Sequence, residues 1–139
     1  MAIQVRLVGK DDVALLGRAV EDVFDEAIQP ELLAAFIAAP GHALVVAIDG
    51  GQLIGQARGI VHLQPDRPPE LYIDNLGVTP RLQRRGIGTR LIERLLEWGR
   101  EKGCTSVWVA TEPDNDAALA FYSSLGLEKR HLAWFSTPL

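Results

Sequence analysis

VTPRLQRRGIGTRL (residues 78–91) changes character within a few positions. An apolar run ends at Pro80, a cluster of arginines follows, and Gly86 and Gly88 open a segment with helical periodicity. The start of a helix leaves backbone N–H groups without partners and carries partial positive charge, so it can bind an anion directly. Glycine at 86 and 88 keeps side chains out of the way of a phosphate, and Arg84 and Arg85 add charge. The stretch reads as a pyrophosphate cradle or, if the glycines only ease a tight turn, as a solvated basic corner. Two familiar phosphate loops are excluded. There is no Gly-Lys-Ser/Thr ending for a Walker loop, and Leu91 stands at the third glycine of a dinucleotide fingerprint.

After this turn Leu91, Leu95 and Trp98 form the apolar face of a helix that ends at Gly103, and ELYIDNLGV before it is a strand. HALVVAIDGGQLIGQARGIVHL reads as two strands around a turn at Asp49, Gly50 and Gly51, and QPDRPP after it is a loop. Nearer the N-terminus, Ile3, Val5 and Leu7 alternate as in a half-buried strand. Asp11 and Asp12 offer an N-cap for a helix carrying Leu16, Val20, Val23 and Phe24. Pro30 starts a second helix with Leu33, Phe36 and Ile37, closed by Pro40 and Gly41. Beyond residue 103, TSVWVAT is a strand, DNDAALAFYSSLG a helix with Gly126 as its C-cap, and LEKRHLAWFSTPL a final strand. The expected order is β, α, α, β, β, β, α, β, α, β, a mixed α/β architecture.

Composition narrows the function. A length of 139 residues fits a single domain over residues 1–139. The formal net charge of −4 argues against a nucleic-acid partner, whose binding draws on Lys and Arg, and suits a cationic small substrate. A single cysteine, Cys104, excludes an internal disulfide and a cysteine-rich metal site, and is more at home as a small buried residue than as a nucleophile. His42, His62 and His131 lack the spacing of metal ligands, so no metal is expected. No apolar run approaches membrane-spanning length and the start of the chain lacks a long apolar segment, which leads to the expectation of a soluble, cytoplasmic protein without a membrane partner.

The run Gln83-Arg84-Arg85-Gly86-Ile87-Gly88, set between a strand ending LGV and a long amphipathic helix, resembles the acetyl-CoA-binding motif Q/R-x-x-G-x-G/A of the GCN5-related N-acetyltransferases. NDAALAFYSSLGL (residues 115–127) is similar to that family's N-x-x-A-x-x-x-Y-x-x-x-G-F/L element. The resemblance extends to the element order, and its specific motifs occupy the second half of the chain. It implies a mostly antiparallel twisted sheet flanked by helices, with acetyl-CoA as cosubstrate. It further implies that Leu76, Gly77 and Val78 pair with the pantetheine arm, one of their N–H groups polarising the thioester carbonyl. By the same resemblance Gln83, Arg84, Arg85, Gly86, Ile87, Gly88 and Thr89 hold the pyrophosphate, Asn115 contacts the pantetheine, and Tyr122 binds beside the cofactor and protonates the departing thiolate. Asn115 is also of the residue type that caps a helix, and the two readings are compatible. Asn115 and Tyr122 lie two helical turns apart and share a face.

Acetyl transfer needs a neutral amine, and an alkylamine with a pKa of about 10.4 is protonated at neutral pH, so a base must take its proton. Some family members carry a glutamate on the strand after the long helix, where this chain has Ala110. ELYIDNLGV and Asp22-Val23-Phe24 are similar to segments of the aminoglycoside 3-N-acetyltransferase type I group, whose strand aspartate aligns with Asn75 here. The carboxylate of this chain stands one position earlier. Strand alternation puts Glu70, Tyr72 and Asp74 on one face unless a bulge changes the parity. Asp74 ranks first as base and Glu70 second. Asp22, Asp25 and Glu26 fall where the family builds its acceptor pocket, so Asp22, Asp25 and Asp74 read either as an acidic wall suited to an aminoglycoside-like amine or as solvated charge on a helix face and a strand edge. Acetylation of a protein N-terminus or lysine shares every CoA-binding residue, and a catalytically silent CoA sensor would also fit Asn75 and Ala110. The apolar, aromatic C-terminal segment is the expected seat of a homodimer.

Overall fold

The computed structural model describes residues 2–139. Five strands, β1 (Gln4–Leu7), β2 (His42–Asp49), β3 (Gln52–His62), β4 (Glu70–Val78) and β5 (Ser106–Val109), make one sheet in chain order. All pairs are antiparallel except β4 with β5. A parallel pair needs a crossover, and α3 (Ile87–Glu101) supplies it. The β2–β3 hairpin closes at Gly50 and Gly51, whose φ angles of 56° and 78° lie in the left-handed region that a two-residue turn of this kind demands.

Each inner strand divides its side chains between the two faces. On β2, Ala43, Val45 and Ala47 face α3, while Leu44 and Val46 face the N-terminal helices. The stripe Ile87, Leu91, Ile92, Leu95 and Trp98 is buried on the first face; each such side chain contributes roughly 1.5–3 kcal/mol of transfer free energy. Helix and sheet meet closely because both carry glycine at the contact. A Cβ on Gly59 would stand 2.9 Å from Leu95, and one on Gly99 would stand 2.9 Å from Leu71. On the other face Leu16, Val23, Leu33 and Leu53 join Leu44 and Val46 in a second apolar cluster.

Two expectations are corrected. The first helix, α1, covers only Val13–Leu16 and does not reach Val20, Val23 or Phe24. After Gly17 the main chain pairs elsewhere: Leu53 N–H donates to the Arg18 carbonyl, and Val20 N–H donates to the Leu53 carbonyl. The apolar residues of this irregular segment still reach the core, which is why their spacing mimicked a helix. The second correction is the final strand. Among the described residues none after α4 (Asp116–Ser124) joins the sheet, and Leu132, Trp134 and Phe135 are exposed. The observed order is therefore β, α, α, β, β, β, α, β, α, with α2 (Pro30–Ala38) as the second helix.

Candidate functional site

The basic turn has the backbone of an anion cradle. Gly86 is the N-cap of α3 at φ 77°, and no side chain caps the helix. The first intrahelical bond runs from Arg90 N–H to the Gly86 carbonyl, which leaves the N–H groups of Ile87, Gly88 and Thr89 without intrahelical acceptors. Arg84 also sits in the left-handed region, at φ 64°. That conformation costs a non-glycine residue about 1–2 kcal/mol and turns successive N–H groups into one concavity. Arg84 and Arg85 are exposed. Gln83 shapes the turn, since its Nε2 donates to the Val78 carbonyl at 3.0 Å. Gly88 faces α4, where a Cβ would lie 3.4 Å from the Phe121 ring.

A slot leads from this cradle into the sheet. Parallel pairing of β4 with β5 stops at Ile73 opposite Val109, while β4 stays paired with β3 up to Val78. From residue 74 to residue 78 the outer edge of β4 thus has no strand beside it, and on that edge only the Val78 carbonyl is engaged among the described residues, by Gln83 Nε2. Leu76, Gly77 and Val78 are half-buried there, between β3 and the opening. An extended, amide-bearing chain could add to this edge as a further strand.

A bulge sets what lies across the slot. Arg58 of β3 is opposite Asn75 and Gly59 is opposite Ile73, so Asp74 is the extra residue on β4. Before the bulge Leu71 and Ile73 face α3; after it Leu76 and Val78 do. Asp74 and Asn75 therefore both turn toward the N-terminal side of the sheet. Arg58 Nε lies 3.0 Å from Asp74 Oδ2, an ion pair by distance, but its N–H is not aimed at the carboxylate and makes no hydrogen bond among the described residues. Tyr72 stacks on Trp108 at 4.1 Å beside this pair. Its hydroxyl pKa is raised, first by burial and then by the Asp74 charge.

Asn75 reaches the loop after α1. Its Nδ2 donates to Asp25 Oδ2 at 3.1 Å, and its Oδ1 accepts from Gln56 Nε2 at 2.6 Å. Gln56, fully buried on β3, also donates from Nε2 to the Val23 carbonyl at 3.1 Å. Asp22, at φ 60°, turns the chain into this loop. An open hollow of about 440 Å³ lies in the same segment, with Glu21, Asp22, Phe24 and Glu26 in its lining.

α4 closes the site near Gly88. Asn115 is its N-cap, accepting from Ala118 N–H at 3.1 Å. Its C-terminus is a Schellman turn: Leu127 N–H donates to the Tyr122 carbonyl, Gly126 N–H donates to Ser123, and Gly126 is at φ 87°. Burial raises the pKa of the Tyr122 hydroxyl, so the phenol holds its proton through neutral pH.

Not every candidate residue is brought together. Glu70 stands at the opposite end of β4, where it pairs with Ser106 and accepts from Gln64 Nε2 at 3.3 Å. That is roughly 20 Å along the strand from Leu76. Cys104 is half-buried against the core and burial raises its pKa, as an unreactive thiol requires. Among the described residues no group of three or more His, Cys, Asp or Glu could hold a metal ion, and no helix is long and apolar enough to cross a membrane. Gln56 and Arg58 did not stand out in the sequence, because a polar residue on a strand carries no signal of its long-range partner.

Comparison with known proteins gives the family and the fold. The acetyltransferase (GNAT) family matches residues 14–127. The N-alpha-acetyltransferase RimI of Mycobacterium tuberculosis is 38% identical over 107 residues, 77% of this chain and 65% of that protein. The chain thus matches just under two thirds of that relative. An aminoglycoside N(6′)-acetyltransferase type 1 of Salmonella typhimurium is 27% identical over 76% of this chain and 69% of its own length. Among solved structures, an aminoglycoside acetyltransferase, HMB0005, from an uncultured soil metagenomic sample superposes with a TM-score of 0.85 at 25% identity, covering 100% of this chain and 99% of that one. AAC(6′)-Iy, solved in complex with the bisubstrate analogue CoA-S-monomethyl-acetylneamine, shares the fold with a TM-score of 0.84 at 20% identity over the full length of both chains.

Proposed function

The chain belongs to the acetyltransferase (GNAT) family, and on that premise we propose that it transfers the acetyl group of acetyl-CoA to a primary amine of a cationic small molecule by direct attack. The observation that carries this reading is the continuity of two backbone features. The open edge of β4 at residues 76–78 leads to the uncapped N-terminus of α3, matching a pantetheine arm followed by a pyrophosphate. The donor supplies an activated acyl group as its thioester. The chain's own residues do the rest. The N–H groups of residues 87–89, with Arg84 and Arg85, bind the pyrophosphate, and Leu76, Gly77 and Val78 align the arm. One N–H of that edge holds the carbonyl oxygen as it gains negative charge. Asn115, while capping α4, meets the arm on the same face as Tyr122.

Asp74 is the base of this scheme, accepting the amine proton directly or through water. Glu70 drops out, being at the far end of its strand. As the amine nitrogen bonds to the acyl carbon, the carbon–sulfur bond breaks, and Tyr122 passes its proton to the sulfur and regains one from solvent. Asp22 and Asp25, with Asp74, give the acceptor an acidic wall, in keeping with the net charge of −4. A second reading, acetylation of a protein N-terminus, is favoured by the 38% identity with RimI. The test is thiol release from acetyl-CoA with sisomicin, spermidine and a peptide with a free N-terminal alanine. Turnover of sisomicin or spermidine is expected; turnover of the peptide alone would replace the first reading by the second.

Residues 1–139 act as one cytoplasmic catalytic domain in this proposal. The exposed Leu132, Trp134 and Phe135 support a homodimer built on residues 127–139. Sedimentation should then give twice the chain mass of 15.2 kDa, and a monomer at micromolar concentration would refute it.

A further inference from the structure

The hydrogen bonds from β3 through β4 to the loop after α1 have a direction that chemistry fixes at both ends. A backbone carbonyl can only accept, so Gln56 must present its NH2 group to Val23. An ionised carboxylate can only accept, so Asn75 must present its NH2 group to Asp25. The Asn75 oxygen then faces back to β3, where the second Gln56 N–H meets it at 2.6 Å. Turning either amide over would set two donors or two acceptors against each other. Both ends of this chain lie on one short loop: Val23 is held by its main chain and Asp25 by its side chain. Gly77 completes the latch, because the Val23 carbonyl oxygen lies where a Cβ would be only 2.3 Å away. Asn75 directly precedes Leu76, so the Asp25 carboxylate is fixed beside the open edge of β4.

We infer that Asn75 and Gln56 are positioning residues whose directed hydrogen bonds fix the Asp25 carboxylate as the counter-ion for the acceptor's ammonium group. The inference rests on the acetyl-transfer reading above. It also explains the neutral residue at 75: an aspartate there would accept from Gln56 equally well but would turn a second negative oxygen on Asp25. The acceptor class that follows is an amine with at least two cationic centres, one to be acetylated and one to pair with Asp25.

The test is a double-mutant cycle of Asn75→Ala and Asp25→Asn, with Asn75→Asp as the same-size variant of opposite polarity. The readouts are KM and kcat for the best-turned-over amine among sisomicin, spermidine and the alanine-led peptide, and acetyl-CoA affinity by calorimetry. Each single variant should raise the amine KM about tenfold, the worth of one charge-assisted hydrogen bond, with kcat and acetyl-CoA affinity within about twofold of wild type. The double variant Asn75→Ala/Asp25→Asn should be no worse than Asp25→Asn alone, because the two residues act as a unit. Asn75→Asp should be at least as damaging as Asn75→Ala. Wild-type turnover with an unchanged amine KM in the Asn75 variants, or effects of Asn75→Ala and Asp25→Asn that multiply independently, overturns the inference alone. A wild-type protein that binds acetyl-CoA but acetylates none of the amines overturns the acetyl-transfer reading, and the inference with it.

Discussion

Gly77→Ala is the most informative single change, because the cost follows from distances. The new Cβ would lie 2.3 Å from the Val23 oxygen, 3.1 Å from the Val23 carbonyl carbon and 3.4 Å from the Asp22 oxygen. A relaxed carbon–oxygen contact is about 3.3–3.6 Å, so the gap between β4 and the loop must open by roughly 1 Å. Both partners are backbone, and no side-chain rotation relieves the clash. Lifting the loop stretches the Gln56 bond to the Val23 carbonyl from 3.1 Å beyond hydrogen-bond range, at about 1 kcal/mol. Overpacking adds about 1–3 kcal/mol, and the stiffer unfolded chain returns about 0.4–1 kcal/mol. A net loss of about 2 kcal/mol should lower the Tm by roughly 5–10 °C in thermal unfolding followed by circular dichroism. Gly41→Ala is the control, since the nearest atom to its Cβ would be an ordinary 3.6 Å away. Equal Tm values for the two variants would refute the close approach of the loop and the latch built on it.

Three further outcomes are expected. Tyr122→Phe should lower kcat by about 10²-fold with little change in acetyl-CoA affinity; unchanged turnover would remove Tyr122 from the acid role. Asp74→Asn should lower kcat by about 10²- to 10⁴-fold, and an unaltered rate would hand the proton to water. Asp12 is held at a pKa of about 2, below the ordinary 3.8, first by its hydrogen bond from Arg6 and then by the Gly9 N–H. A lowered folded pKa stabilises the protein fully above the unfolded value and is lost as pH falls from about 4 to 2. After solvent screening this is worth about 1 kcal/mol, so Asp12→Asn should destabilise at pH 7, with most of that effect gone at pH 2, in denaturant titrations.

The parts of the molecule that depend on local chemistry were legible in the sequence. Gly86 and Gly88 beside a strand end and an apolar stripe located the turn into α3, and Asn115 and Gly126 bracketed α4. The misreadings arise where distant pairing overrides a local pattern. Leu16, Val20, Val23 and Phe24 recur at helical intervals, but residues 18 and 20 give their main-chain bonds to Leu53. Residues 127–139 read as a strand, but among the described residues they pair with neither the outer edge of β5 nor any other strand. The bulge at Asp74 has no marker in the sequence, and it alone decides that Asn75 faces Asp25 rather than α3. Gln56 shows the same limit, being tied to Val23 and Asn75 only by the fold.

The acetyl donor is expected to lie along the outer edge of β4 and to end at the start of α3. Backbone amide NMR during titration with acetyl-CoA checks this placement residue by residue. The largest shifts should fall on residues 76–78 and 86–89, with smaller ones around Asn115 and Tyr122. Shifts centred instead on the hollow lined by Phe36, His42 and Trp98, with residues 76–78 and 86–89 unmoved, would contradict it.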